Sequence, residues 1–526
     1  MPVVDFIPVR SRTAPVVSRT VNPETLFFDF GNDAFGQLEF TCTADSDTGL
    51  ECAIGEVLTP EGRLNREPGG NRVFFSSRIQ VRQGTAVYRF PIPRHPDVQP
   101  GSVSLAEEIA PFRYAEFSGQ GISIEPVRIT MHAPFNDRAA DFRSSNEILN
   151  RVYELCRHTI KATTVFGVYI DGNRERLPYE GDAYINQLGH FALDADYTIA
   201  RRTIDHLFKF PTWPTEWLLM MPLIVKDYYL HSADRESIGR WFPGLTSKLL
   251  LNFSRADGLL STEGNKNPRD IVDWPPVERD GYEFGTVNLV PNCYLYRALH
   301  DMAFLAGELG LADEAEYYRS RTALVRASIR GTMLKNGRFT DNPDSDHMSL
   351  HSAVFAVLFG LAEPAELPSL ASFIRSRGMA CSVFTAQFLL EACCKCGLAG
   401  YALELMTADT LRSWMNMIRK GATITMEAWD DSFKPNQDWN HPWGAAPANI
   451  IPRGLFGIRP LKPGFAEFEA DPKSCLENAF CRYPTIHGPI EIELFPDRIE
   501  LTVPAGTRCL FRGAILTPGR HSVCRS

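Results

Sequence analysis

SSNEILNRVYELCRHTI, residues 144–160, is the stretch on which the fold reading turns. Ser144 and Glu147 have the spacing of a capping box. Behind them Ile148, Leu149, Val152, Leu155, Cys156 and Ile160 recur at the interval of one buried helix face. Upstream, the signals are for strands: LFFDF, QLEFTCTA, NRVFFSSRIQV, TAVYRFPI and FRYAEFSG alternate or run apolar between Gly, Pro, Asn and Asp turns. Downstream, helical patterns dominate to about residue 450, at 184–208, 215–230, 234–253, 289–309, 312–333, 351–361, 367–377, 383–398 and 402–420. Strand patterns then return in PIEIELF, RIELTVPA and TRCLFRGAIL. The chain therefore reads as a multidomain α+β protein: an N-terminal β-sandwich over 1–135, a helical domain over 136–452 and a C-terminal β-sandwich over 453–526. About a dozen helices fit the middle region at the usual helix length. Such hairpins could close into an (α/α)6 barrel, although periodicity does not separate that ring from an open solenoid.

The 526 residues exceed what one hydrophobic core organises. A net charge of −9 and a pI near 5.8 disfavour nucleic acid and anionic membranes as partners, since both select basic surfaces. MPVVDFIPVRSRTAP at the start lacks the apolar core of a secretory signal, and no later segment has the run a membrane span needs. Twelve irregularly spaced cysteines fit a reducing compartment, so a cytoplasmic protein is expected. The cluster CCKC at 393–396 sits in a helical pattern with no second ligand pair at zinc spacing, and reads as buried core. No metal and no cofactor are expected.

The chemistry concentrates in VFGVYIDGNRERLPYEGDAYI, residues 165–185, where Asp171, Arg174, Glu175, Arg176, Glu180 and Asp182 crowd behind an apolar run. A second acid cluster, TITMEAWDD, surrounds Glu427. Two carboxyl groups facing each other across a sugar are what glycoside hydrolysis needs, whereas a solvated turn with mutually paired charges needs only the first cluster. All eight tryptophans lie in the helical region. Aromatic faces stack on sugar rings while acids bind hydroxyls, so Asp273-Trp274, Glu427-Ala428-Trp429 and Asp438-Trp439-Asn440-His441 form candidate carbohydrate surfaces. Trp241 and Trp414, inside helical patterns, are read as core.

At these residues the chain resembles glycoside hydrolase family 78, the α-L-rhamnosidases. RERLPYEGDA at 174–183 is similar to that family's RERLGWTGDA, and ATITMEAWD at 422–430 to a second acid motif close to ATTLWERWD. GEVLTPEGRL, FRYAEFSG, VDWPP, NHPWGAAP and GIRPLKPGF resemble further family segments in the same order, so the resemblance covers most of the chain. It implies an (α/α)6 barrel flanked by β-sandwiches and inverting removal of terminal rhamnosyl units from glycosides or oligosaccharides. Glu175 would then be the general acid and Glu427 the general base, about 6.5–9.5 Å apart to admit a water. Asp171 and Asp182 would meet the sugar hydroxyls or stand beside the acid, with Arg174 orienting, His441 near the sugar, and Trp217 and Trp274 as aromatic walls. The chain departs from the pattern in two places. Only Gly172 and Asn173 separate Asp171 from Arg174, and Pro178-Tyr179-Glu180 replaces Gly-Trp-Thr, so Tyr179 stands where a tryptophan would line the pocket. These changes leave a related deoxyhexose, an L-mannose-like sugar or a uronic acid open as substrate, and Glu180 open as a solvated charge or an extra contact. A sugar phosphorylase and a non-catalytic carbohydrate-binding protein are the other function classes.

Overall fold

The computed structural model describes residues 4–96 and 99–525. The N-terminal β region is built around one strand of 20 residues, Thr25–Ala44. Its first half pairs with Val17–Asn22 and Ala110–Ser118, its second half with Gly84–Arg89 and Ile122–His132. The register breaks between Asp29 and Ala34, where Gly31 takes a φ of +86° that L side chains rarely adopt. One hydrogen-bonded sheet of eight strands thereby folds over itself. Its apolar face closes on an aromatic cluster in which Phe40 and Phe117 lie edge to face, 4.8 Å between centroids.

Among the described residues fourteen α-helices follow, from Glu147–Ala162 to Ala446–Ile450. Leu289–Leu309, Ala312–Met333 and Leu367–Arg377 begin and end where their apolar periodicity does. Three stretches read as single helices each divide into two, 215–230 only at Met220, between Thr215–Leu219 and Met221–Ser232. The 184–208 pattern divides into Glu180–Phe191 and Thr198–Lys209, because Asp194 turns its carboxylate to the Asn136 and Ala195 amides and stops the helix. The 402–420 pattern divides into Ala399–Met406 and Trp414–Arg419, the second capped by Ser413. The first helix packs against Ala446–Ile450 and Trp414–Arg419 near the other end of the helical region.

The start of that first helix corrects the sequence reading. Ser144 is spent as the end of the strand Asp141–Ser144, its hydroxyl bonded to Asn150 Oδ1 at 3.0 Å. Capping falls instead to Asn146, whose Oδ1 accepts the Leu149 amide at 3.0 Å. Ile148 then lies a residue off the inward stripe and is 36% exposed. The strand Asp141–Ser144 lies within the interval read as helical, yet it forms an edge of the C-terminal five-stranded sheet by pairing with Ala479–Tyr483. A four-stranded sheet, which pairs Glu467–Ala470 parallel to Arg508–Phe511, completes that region. Among the described residues no helix is long and apolar enough to cross a membrane.

Asn146→Ala should cost about 1 kcal/mol, and speed hydrogen exchange at the Leu149 amide, whereas Ser144→Ala should leave that amide protected. Exchange followed by NMR or mass spectrometry separates the two caps.

Candidate active site

The loop carrying Glu175 is closed at its base by backbone pairing. Asp171 N donates to Leu177 O, and Leu177 N to Asp171 Oδ1, each at 2.9 Å. Gly172 is required there, because a Cβ would meet Asp438 Oδ2 at 2.4 Å. Arg176 sits in the left-handed region at φ 50° and turns away from Glu175. Its guanidinium bonds Asn173 Oδ1 and Ile109 O, which holds the strained residue against the N-terminal β region. The short Asp171–Arg174 spacing thus makes a compact loop whose outer residues, Arg174 and Glu175, face a cavity of about 550 Å³.

Glu427 reaches the same cavity from a loop tied by Glu427 N to Asp438 O (3.2 Å) and by Trp443 Nε1 to Glu427 O (2.9 Å). Arg174 stands between the two acids, 2.9 Å from Glu427 Oε2 and 3.4 Å from Glu175 Oε1. Lys434 adds a contact to Glu427 Oε1 at 3.5 Å. Burial raises the Glu427 pKa, with Asp438 adding to it and His441, Arg174 and Lys434 opposing. A carboxylate so placed is a stronger base than one in water. Glu175 is about one-fifth exposed, and its Oε2 accepts from Tyr179 Oη at 2.5 Å and Gln99 Nε2 at 3.1 Å.

Asp171 and Asp182 are buried, and each keeps one oxygen, Oδ2, without a protein partner. Burial raises both pKa values; for Asp171 the neighbouring Glu175 adds to the shift, so that carboxyl is held well above the usual range. Trp217 Nε1 is likewise buried and unpartnered. Buried polar atoms without partners, lining one cavity, are hydrogen-bonding positions for a polyhydroxylated ligand. His441 lies between Asp438 (3.0 Å from Nδ1) and Asp182 (3.1 Å from Nε2). Burial disfavours the charged ring, but the two carboxylates outweigh it and raise its pKa well above the ordinary value. Glu427, Asp438 and His441 have ligand atoms close enough to suit a metal ion. With both ring nitrogens facing carboxylates and Glu427 already shared by two cations, the group is better suited to holding protons.

Of the residues singled out in the sequence, Asp171, Arg174, Glu175, Tyr179, Asp182, Trp217, Trp274, Glu427 and His441 line this cavity together. Asp273 and Trp429 are not among its lining residues. Asp273 is buried against His351 Nε2 (2.7 Å) and the Ser382 hydroxyl and amide, and Trp429 packs edge to face on Trp414 while donating to Cys381 O. An acid beside a tryptophan was the signal for both, and backbone direction turned each into the core. Glu180, left open between a solvated charge and a substrate contact, is fully buried, hydrogen-bonded to Thr212, with Lys248 3.9 Å away. Gln99, Trp213, Ile271, Lys434, Asn436 and Trp443 also line the cavity without having been singled out. Trp443 lies in the NHPWGAAP segment; nothing local marked Gln99, which arrives from the N-terminal β region.

The first helix packs against helices near the end of the helical region, and paired acids and indoles share one cavity. The family model for the bacterial α-L-rhamnosidase six-hairpin glycosidase domain matches residues 137–455, and the chain belongs to that family. Among solved structures, the family 78 rhamnosidase of Bacillus sp. GL1 is 21% identical, with a TM-score of 0.73 over 93% of this chain and 52% of that one. The α-L-rhamnosidase of Streptomyces avermitilis, complexed with L-rhamnose, is 17% identical, with a TM-score of 0.76 over 95% of this chain and 49% of that one. The Klebsiella oxytoca rhamnosidase with rhamnose bound is 16% identical, with a TM-score of 0.66 over 84% of this chain and 96% of that one. The chain thus spans about half the length of the first two. A search of curated proteins finds no match.

The environment of His441 makes a direct prediction. Its ring nitrogens should both appear protonated by 15N NMR above pH 6.5, the ordinary histidine value. Because the folded pKa is raised, its stabilisation is fully present below about pH 6.5 and is lost as pH rises through the folded pKa. The stability gap between wild type and His441→Gln should therefore shrink toward alkaline pH in denaturant titrations.

Proposed function

We propose that the protein is an inverting exo-glycosidase that removes terminal α-L-rhamnosyl units, with Glu175 as general acid and Glu427 as general base. The observation that carries this reading is the single guanidinium of Arg174 set between two carboxyl groups in a cavity with unpartnered buried oxygens. In the reaction, Glu175 gives its proton to the glycosidic oxygen as the bond to the anomeric carbon breaks. A water on the opposite face attacks that carbon and yields its proton to Glu427. Asp171, Asp182 and Trp217 would receive the sugar hydroxyls through their free polar atoms. Trp217 and Trp274 would flank the ring. Arg174 keeps the two carboxyl groups oriented and limits their mutual repulsion.

The scaffold proposed is an (α/α)6 barrel between two β-sandwiches, supported by the packing of the first helix against helices near the end of the helical region. The phosphorylase reading is disfavoured because the basic side chains Arg174 and Lys434 of the cavity are both engaged by Glu427, leaving no free anion pocket there. A reducing, cytoplasmic setting is supported by the twelve cysteines, all free thiols.

Glu175→Gln should lower kcat about 10²- to 10⁴-fold on an alkyl or sugar rhamnoside but much less on a nitrophenyl rhamnoside, whose leaving group needs little protonation. Glu427→Gln should impair both. NMR of the first-formed product should show the β-anomer. An α-anomer, or full activity of either variant on the unactivated substrate, would sink the assignment.

A further inference from the structure

A second cavity, of about 490 Å³, adjoins the first, and the side chain of Trp274 lines both. Arg269 and Arg279 line this second cavity. Arg269 lies 4.8 Å from the ring centroid of Trp213, itself a wall of the first cavity, and Arg279 lies 5.1 Å from that of Phe284. Arg269 is exposed and Arg279 half-buried, and the aromatic faces are what each guanidinium rests on. Burial lowers the Arg279 pKa, Asp273 and Glu216 oppose that, and the charge of Arg269 adds to it.

Opposite charge acts on Arg279 only at a distance, from Asp273 and Glu216. Arg279 Nε donates to a backbone carbonyl, that of Asp273, at 3.0 Å. Neither guanidinium has a carboxylate within 4.0 Å among the described residues. Asp270, which also lines the cavity, gives its oxygens to Thr262 Oγ1 (2.6 Å) and Asn288 Nδ2 (2.8 Å) instead. Glu263, the other acid of the lining, is exposed. The N–H donors of Arg269 and the terminal N–H groups of Arg279, with no carboxylate on them, suit a planar carboxylate or a sulfate, and the exposed face of Phe284 and the indole of Trp274 suit a pyranose ring.

We propose that this cavity is a subsite for the leaving portion of the substrate, and that it selects a sugar unit bearing an anionic group, received by Arg269 and Arg279 with its ring against Trp274. The inference rests on the rhamnoside being cut in the adjoining cavity. It gives the protein a substrate class, acidic oligosaccharides capped by the deoxy sugar, which the charges of the first cavity do not specify.

The test compares three rhamnosyl disaccharides whose second unit is glucuronate, glucose 6-sulfate or glucose. The readout is kcat/KM for each anionic substrate divided by that for the neutral one, within one protein, so that losses common to both cancel. Wild type should favour an anionic substrate about tenfold or more, as expected for a charge-assisted hydrogen bond. The glucuronate and sulfate arms identify which anion. Arg269→Gln/Arg279→Gln should bring the ratio near one, and Arg269→Lys/Arg279→Lys, which keeps the charge but loses the planar fork, should keep only part of it. A wild-type ratio near one, or a ratio unchanged in the double glutamine variant, overturns the proposal. If no rhamnoside is cleaved, the hydrolase reading has failed and the subsite is judged by titrating methyl glucuronide and methyl glucoside into the intact chain by NMR. Preferential binding of the glucuronide, weakened in the glutamine variant, supports it; equal binding of the two overturns it.

Discussion

The guanidinium of Arg174 is the interaction on which the cavity depends. It contacts Glu175, its chain neighbour, and Glu427, 253 residues away, so two carboxyl groups can face one space without an unscreened repulsion between them. A planar fork does this better than an ammonium, because it presents separate donors to separate acceptors. The same logic extends outward. Lys434 supports Glu427, His441 divides its two nitrogens between Asp182 and Asp438, and burial pushes Asp171 toward its neutral form. The dense acids of the sequence are thereby converted into a nearly balanced site.

That balance is built from three parts of the chain. The N-terminal β region contributes more than a neighbouring fold. His95 and Glu56 fasten Asn173 and Asn440, Val103 takes the Arg176 carbonyl, and Gln99 reaches Glu175 and Tyr179 directly. Glu56 itself is buried beside Asp33, where burial and that second acid raise its pKa well above normal, and an apolar cluster of Phe35, Val103, Ile109 and Met131 with Val165, Phe166, Val168 and Ile170 backs these polar contacts. The compact loop from Asp171 to Leu177 and the strained backbone of Arg176 are held in place by these contacts.

How much of this was legible in the sequence depended on the range of the forces involved. Long helices with a steady apolar stripe, such as Leu289–Leu309 and Ala312–Met333, could be read to the residue, since their burial is repeated every turn. Breaks at 192–197 and 407–413 could not, because polar side chains stop the helix without interrupting the stripe. The acid motifs and their order located most of the cavity. The tryptophan-beside-acid pattern placed Trp274 on its wall and failed at Asp273 and Trp429, since adjacency in sequence says nothing about which way successive side chains turn. Gln99 and Lys434 carried no local signal at all; their roles come from what other segments bring opposite them.

The strand Asp141–Ser144 has a consequence for the order in which the molecule is made. It leaves the ribosome before the whole helical region, yet its partner, Ala479–Tyr483, comes more than three hundred residues later. Until then its edge, with Phe142 on the inward face, has no sheet to join. The C-terminal sheet therefore acts as a late clasp, closing only after the helices between its two sides have been synthesised, and a chain interrupted before that point would carry an open strand edge exposed to self-association.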